Sequence, residues 1–148
     1  MDIEIFPFSS LSSNELYSVL QLRAAVFIVE QDCVYQDIDG KDQNALHVLG
    51  YEQGELVAYT RIFKPGDYLT QAAIGRVLVH KDHRKKSYGQ EIMKASIAAI
   101  QERFLTHEIA LSAQTYLLEF YKNLGFKPFG ESYLEDGIPH INMQCYLL

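Results

Sequence analysis

Residues 72–79 form an almost continuous apolar run, AAIGRVLV, that includes the β-branched residues Ile74, Val77 and Val79. A short apolar run of this composition is typical of a strand that is covered on both faces of its sheet. This segment therefore predicts at least one strand in the interior of a sheet. The other predicted strands and helices are described relative to it.

Hydrophobic periodicity divides the rest of the chain into strands and helices. Recurrence at helical spacing predicts three helices, and short β-rich runs between turn residues predict the strands. The helices are predicted at 12–30, 87–104 and 116–124, and the strands at 3–8, 47–51, 56–63, 72–79, 109–113, 126–129 and 141–147. The order β, α, three β, α, β, α, two β predicts the α/β class, with an irregular, Asp-rich connection over 31–44.

Three local signals fix element ends. Ser12 and Glu15 have the S-x-x-E spacing of a capping box, which begins the first helix. Gln53-Gly54 is a plausible hairpin turn, and Gly125 stands where a helix commonly ends in a left-handed residue. Arg23 is the one charged residue that interrupts the apolar stripe of the first helix.

Length and composition restrict the class of protein. With 148 residues, 48% hydrophobic and 22% charged, the chain is predicted to form a single domain over residues 1–148. No apolar run is long enough to cross a bilayer and the start resembles no secretion signal, so a cytoplasmic protein without a membrane partner is expected. Cys33 and Cys145 have no metal-binding spacing, so we expect buried free thiols and no metal.

A basic loop follows the apolar strand. Residues 80–87 contain four cations, one anion and two histidines, whereas the chain as a whole carries a net charge of −6. The loop stands just before a predicted helix start, where the helix dipole disfavours cations unless an anion binds. A strand, a basic loop, Gly89 and a helix N-terminus together suit a pyrophosphate. A solvated loop is the alternative; a nucleic-acid patch is disfavoured because no aromatic platform accompanies it, and no Walker motif is present.

The motif Arg84-Lys85-Lys86-Ser87-Tyr88-Gly89 resembles the [QR]-x-x-G-x-[GA] loop of the GNAT acetyltransferase superfamily. The segment FYKNLGF at 120–126 is similar to that family as well, as is the element order. AVFIVEQ at 25–31, YQDIDG at 35–40, IGRV at 74–77 and GIPHI at 137–141 resemble its ElaA-like branch. The resemblance implies a single-domain GNAT-like (acyl-CoA N-acyltransferase) fold: a mixed, twisted sheet with a splayed central strand pair and helices on both faces.

The resemblance also implies site residues. It gives Tyr121 the role of the acid that protonates the leaving thiolate, and Gln114 that of a hydrogen-bonding partner for cofactor amides where many relatives carry Asn. It gives the pantetheine arm and the pyrophosphate of acetyl-CoA to the following residues: Val77, Leu78, Val79, Arg84, Lys85, Lys86, Ser87, Tyr88, Gly89 and Gln90. Ser87 departs from the usual Gly and could crowd the phosphates, although Ser87 and Gln90 also have the spacing of a capping box.

Several chemical roles stay open at this stage. Glu30, His80 and His140 are all candidates for the general base that deprotonates an acceptor amine. The Asp-rich segment 37–42 fails as a calcium loop because Gly and Glu are not at the required positions. A covalent route through Cys33 is disfavoured, because no basic neighbour in the sequence would lower the pKa of that thiol.

The sequence therefore predicts an N-acetyltransferase that moves acetyl from acetyl-CoA to an amine by direct attack in a ternary complex. The acidic composition favours a small polyamine or a basic peptide as acceptor and disfavours nucleic acid. One alternative is a non-catalytic acyl-CoA-binding or sensor module, and another is an interaction domain whose basic loop binds an acidic protein. Pairing of two copies through exposed sheet edges is a further option.

Overall fold

The computed structural model describes residues 1–147, which form one seven-stranded sheet in the order β1-β2-β3-β4-β5-β7-β6. All neighbouring strands are antiparallel except β4 and β5, which are parallel. The strands are β1 Asp2–Pro7, β2 Leu46–Glu52, β3 Glu55–Phe63, β4 Ala72–Val79, β5 Glu108–Gln114, β6 Lys127–Glu135 and β7 Ile138–Tyr146. The helices are α1 Ser13–Arg23, α2 Tyr88–Phe104 and α3 Leu118–Lys122. The predicted order and the mixed sheet are confirmed.

Both faces of the sheet are covered, as the apolar strand required. On one face, Ile92, Met93 and Ile100 of α2 pack with Tyr121 of α3. On the other face, α1 and the segment that follows it pack against a second cluster of strand residues. Alternate residues of β3 belong to the two clusters, with Ala58 in the first and Tyr59 in the second.

The central strands β4 and β5 separate soon after they meet. They are paired only at Ala72 with Ile109 and at Ala73 with Ala110. Beyond those pairs β5 remains bonded to β7 and β4 to β3, so a V-shaped opening forms between the carboxyl ends of β4 and β5. This is the splayed central pair that the family resemblance implied.

The first helix begins as predicted but changes type before it ends. Ser12 accepts a hydrogen bond from the Glu15 N–H at 3.1 Å and the Glu15 carboxylate accepts from the Ser12 N–H at 2.8 Å, so the capping box is confirmed. Residues Ala24–Glu30 continue as a π-helix instead of an α-helix. π-Helical segments are rare in proteins, and those that do occur are often found at functional sites. This one ends at Glu30.

Arg23, which interrupted the apolar stripe, is fully buried rather than solvated. It binds Asp37 at 3.0 Å and Asp42 at 2.7 Å, and Asp42 also binds Arg61 at 2.8 Å. Arg76 binds Asp37 at 2.8 Å. Together with Asp39, which binds Arg61 at 2.6 Å, these side chains form a network of three arginines and three aspartates that ties the irregular connection to α1, β3 and β4.

Two details of the prediction are wrong. Strands β6 and β7 are longer than the predicted 126–129 and 141–147, because they meet in a tight turn at Asp136-Gly137, where φ is positive at both residues. The periodicity of β6 is lost because the strand is irregular between Phe129 and Tyr133 and exposed along most of its length. Cys145 is buried as expected, but Cys33 is only partly buried; both thiols are free.

Candidate active site

A cleft of about 810 Å³ occupies the opening between β4 and β5. Its wall includes the loop that precedes α2, the β6–β7 turn and the connection after the π-helix. Tyr121 borders this cleft, as do ten of the eleven residues assigned to the cofactor; Lys86 is the exception. The ten are Val77, Leu78, Val79, Arg84, Lys85, Ser87, Tyr88, Gly89, Gln90 and Gln114.

The β4 wall of the cleft contains a bulge. Tyr59 pairs with Leu78 and Arg61 with Gly75, so Arg76 and Val77 together stand opposite the single residue Thr60. Arg76 has a φ of +52°, a left-handed conformation that costs a side chain-bearing residue about 1–2 kcal/mol. Bulges of this kind redirect the backbone beside active sites, and here the bulge immediately precedes the part of β4 that borders the cleft.

The loop before α2 has two left-handed residues, Lys85 with a φ of +67° and Ser87 with a φ of +63°. The Ser87 side chain makes no cap hydrogen bond at the N-terminus of α2, so the predicted capping box of Ser87 and Gln90 is wrong. The reason is conformational: a capping Ser needs an extended backbone, as Ser12 has, and Ser87 is left-handed. The first N–H groups of α2 therefore remain available to an anion at the positive end of a 17-residue helix.

The cations of this loop have different surroundings. Lys85 borders the cleft, and no acidic group in residues 1–147 lies within salt-bridge distance of it. Lys86 points away from the cleft to Glu52, at 3.4 Å, and Tyr88 donates to the same carboxylate at 2.5 Å. That hydrogen bond raises the pKa of Tyr88 to about 12. Lys85 is therefore the loop cation that is placed to meet a ligand in the cleft.

Gly89 lets α3 approach α2. A Cβ at Gly89 would lie 3.3 Å from two ring atoms of Phe120 and 3.8 Å from Val79. The Phe120 ring in turn packs edge-to-face on Tyr121, with centroids 5.0 Å apart. The absence of a side chain at Gly89 thus sets the position of the aromatic pair that carries the candidate acid.

Tyr121 is placed by α3 and by the turn that ends that helix. Gly125 has a φ of +98°, and the Phe126 N–H donates to the Tyr121 carbonyl at 3.1 Å, which is the arrangement of a Schellman turn and confirms the predicted helix end. The ring is 5% exposed and borders the cleft. No partner for its hydroxyl is found among residues 1–147, and burial raises the pKa of Tyr121 well above its ordinary value.

The three candidate bases are placed differently. Glu30 borders the cleft but both of its carboxylate oxygens are bound by Arg84, at 2.5 and 2.8 Å, and this pairing lowers the pKa of Glu30. His80 is not part of the cleft wall, and its Nδ1 accepts the Asp82 N–H at 3.1 Å. His140 is buried and borders the cleft.

The cleft wall also holds residues that sequence reasoning did not assign. One of them is Gln31, whose side-chain amide pairs with that of the assigned Gln114 at 3.3 and 3.4 Å. For the bulge at Arg76 in β4, the sequence contained one signal, Gly75, because an isolated glycine within a strand often marks a bulge. The remaining unassigned wall includes Tyr35, Gln36, Asp39, Tyr68, Ser112, Tyr116, Glu135 and Asp136.

Within residues 1–147, no helix is both long and apolar enough to span a membrane. No group of three or more His, Cys, Asp or Glu side chains in the same residues is arranged to hold a metal ion, and the Asp-rich segment is instead bound to arginines.

The comparisons with known proteins agree with this architecture. The profile of the family described as Acetyltransferase (GNAT) domain matches residues 12–147. Protein ElaA from Escherichia coli is 47% identical over 137 residues, which cover 91% of this chain and 90% of that protein. The crystal structure of Escherichia coli ElaA superposes with a TM-score of 0.90 and 43% identity, covering 97% of this chain and 98% of that one.

Two further solved structures are similar. An acyl-CoA N-acyltransferase from Pseudomonas aeruginosa superposes with a TM-score of 0.91 and 37% identity over 98% of this chain and 99% of that one. An aminoglycoside 6′-N-acetyltransferase complexed with coenzyme A shares the fold, with a TM-score of 0.77 and 16% identity over 100% of this chain and 98% of that one.

The sheet, its splayed central pair and the cleft between them define an acyl-CoA N-acyltransferase. The chain belongs to the GNAT acetyltransferase family, and its likeness to ElaA in sequence and in structure places it in the ElaA-like branch.

Proposed function

We propose that this protein transfers the acetyl group of acetyl-CoA to a primary amine, with Tyr121 as the acid that protonates the leaving thiolate. The observation that supports this proposal most directly is the hydroxyl of Tyr121, which is carried by a buried ring, borders the cleft and has no partner among residues 1–147. A hydroxyl that is carried by a buried ring and borders the cleft is placed to donate to a ligand there.

The residues along the cleft fit coenzyme A. Lys85 and the uncapped N–H groups at the start of α2 would hold the pyrophosphate, and the backbone of Val77, Leu78 and Val79 would hydrogen-bond the pantetheine arm. The bound thioester supplies an activated acetyl group. A related fold is known in complex with coenzyme A, which supports the same use of this cleft.

Direct attack of an amine on the thioester has three chemical requirements. The amine must lose its extra proton before it attacks, the carbonyl oxygen must be stabilised as negative charge develops, and the thiolate must receive a proton. A fixed backbone N–H at the oxygen typically contributes about 3 kcal/mol, and the β4 bulge at Arg76 precedes the N–H groups that we assign to it. Because burial raises its pKa, Tyr121 stays protonated at neutral pH and is ready to act as the acid.

The part of the cleft wall that contains Glu135 and Asp136 favours a cationic acceptor. Glu135 and Asp136 stand at the β6–β7 turn, and no Lys or Arg within residues 1–147 makes a salt bridge with either carboxylate. Asp39, Asp37 and Glu30 are instead neutralised by arginines. Two unneutralised carboxylates at the entrance favour an acceptor that carries a second positive charge, such as a small polyamine or a basic peptide.

The test is release of coenzyme A from acetyl-CoA in the presence of a panel of amines, with propionyl-CoA and succinyl-CoA as competing donors. We expect Tyr121→Phe to lower kcat by more than tenfold while the Kd for acetyl-CoA changes less than threefold. The matched control is Tyr17→Phe, since Tyr17 is an exposed tyrosine of α1. Unchanged turnover in Tyr121→Phe contradicts the acid role. Tight binding of acetyl-CoA without turnover of any amine would favour the non-catalytic sensor, and no binding would favour the interaction domain.

A further inference from the structure

Proton removal from the acceptor is the one step without an assigned residue. An alkylammonium has an ordinary pKa of about 10.4, so at neutral pH the acceptor arrives protonated and cannot attack. A general base must border the cleft, must have a free lone pair, and must gain a stabilising partner when it takes the proton.

Glu30 and His80 each fail one of these conditions. Both oxygens of Glu30 accept from Arg84, so protonation of Glu30 would break a bidentate ion pair. His80 lies outside the cleft wall, and its Nδ1 accepts from the backbone at the turn before α2.

His140 meets all three. Its Nδ1 lies 2.7 Å from the carbonyl oxygen of Ile138, which can only accept, so Nδ1 carries the hydrogen. The neutral ring therefore has its lone pair on Nε2. The side chain is 9% exposed and is held by Tyr133, whose ring stacks on it with centroids 6.2 Å apart, so the Nε2 position is fixed.

Nε2 lies 3.3 Å from Oε2 of Glu135. A carboxylate accepts but does not donate, so this contact becomes a hydrogen bond only when Nε2 is protonated. The other groups around His140 are Tyr133 on β6, Asp136 in the β6–β7 turn and the uncharged Gln114 opposite it on β5. Glu135 is about half exposed, so water screens its attraction for the ring.

We propose that Nε2 of His140 is the general base for the acceptor amine and that Glu135 orients the ring and stabilises the imidazolium that forms. This inference rests on the proposed acetyl transfer. One ammonium proton passes to Nε2 and later to solvent. The nitrogen lone pair then bonds to the thioester carbon, the C–S bond breaks, and Tyr121 protonates the sulfur. The second nitrogen proton restores Tyr121 through water, so the products are an amide, the free thiol of coenzyme A and one proton.

The test compares His140→Asn with wild type over a range of pH. The Asn amide can still donate to the Ile138 carbonyl but has no basic nitrogen, so it separates the structural role from the chemical one. We expect kcat/KM to fall about 100-fold, within the range of general bases, and its dependence on pH to weaken. The Kd for acetyl-CoA should change less than threefold. His107→Asn, an exposed histidine just before β5, is the matched control.

A second variant covers the case in which His140→Asn fails to fold. Glu135→Gln removes the charge that stabilises the imidazolium, so kcat/KM should fall by more than tenfold while the Kd for acetyl-CoA changes less than threefold. If His140→Asn or Glu135→Gln keeps wild-type kcat/KM, the assignment of His140 is wrong although acetyl transfer stands. If the wild type turns over no amine, the proposed function fails and the role of His140 fails with it.

Discussion

Arg84 donates to both carboxylate oxygens of Glu30, at 2.5 and 2.8 Å. Arg84 also donates to the Val79 carbonyl at 3.1 Å through Nε and Nη2. Arg84, which the motif assigned to the phosphates, and Glu30, which was a candidate base, therefore form one ion pair. This ion pair joins the end of the π-helix to the end of β4 beside the cleft.

We predict that this pair matters more for acid stability than for catalysis. The hydrogen bonds from Arg84 lower the pKa of Glu30 below its ordinary 4.5, so the stabilisation is fully present above pH 4.5 and is lost as pH falls through the lower, folded-state pKa. Because both side chains are partly exposed, the coupling free energy should be below about 1 kcal/mol.

The measurement is a double-mutant cycle of Glu30→Gln and Arg84→Gln by urea unfolding at pH 7 and pH 4. Glu30→Gln should keep kcat/KM within about tenfold of wild type, since Glu30 is not the base. A loss of several hundredfold in Glu30→Gln with acetyl-CoA binding intact would contradict the account and return Glu30 to that role.

Asp42 is the residue on which the buried network depends most, since its Oδ1 accepts from both Arg23 and Arg61. Asp42→Asn would leave three arginines with two aspartates, and breaking such a buried pair typically costs about 3–5 kcal/mol. The free energy of unfolding in urea should fall by that order. Asp67→Asn makes the same change of charge at an exposed site and should have an effect below about 0.5 kcal/mol.

The same carboxylate predicts a pH dependence. Burial opposes its charged form, but the hydrogen bonds from Arg23 and Arg61 outweigh burial and lower the pKa of Asp42 below 3.8. Its stabilisation is therefore present above pH 3.8 and is lost as pH falls further. Wild type should lose stability more steeply than Asp42→Asn below that pH; parallel curves would contradict this assignment.

Ser87 occupies a position where glycine has the conformational advantage, with φ of +63° and ψ of +18°. Ser87→Gly should raise the free energy of unfolding by up to about 1 kcal/mol, because it removes left-handed strain. At this chain length that corresponds to roughly 2–4 °C in Tm, and acetyl-CoA should bind at least as tightly. Ser132→Gly, in the exposed strand β6, should instead be neutral or destabilising. A loss of stability in Ser87→Gly as large as in Ser132→Gly would contradict the strain argument.

Most of the correctly predicted features depend on interactions between residues that are close in sequence. The capping box at Ser12, the turn at Gln53-Gly54 and the helix end at Gly125 each depend on residues a few positions apart, so the sequence contains the whole interaction. The buried strand 72–79 and the loop that follows it were recognisable for the same reason. These segments place most of the cleft.

The features that were not predicted depend on residues far apart in sequence. Arg23 is buried because its partners Asp37 and Asp42 come 14 and 19 positions later and fold back onto it. The pairing of Arg84 with Glu30 spans 54 positions, and that of Gln31 with Gln114 spans 83. By contrast, the turn at Asp136-Gly137 had a readable signal, since that dipeptide favours a tight hairpin.

The proposed acetyl transfer requires the loop before α2 to hold the pyrophosphate of acetyl-CoA through Lys85 and backbone N–H groups. The most direct measurement is calorimetric titration of wild type, Lys85→Ala and Lys86→Ala with acetyl-CoA. Lys86 is the matched control because its ammonium lies on Glu52, outside the cleft wall. We expect one bound acetyl-CoA per chain, a Kd at least tenfold weaker in Lys85→Ala, and a change below about threefold in Lys86→Ala. Absence of binding to wild type, or an equal loss in the two variants, would contradict it.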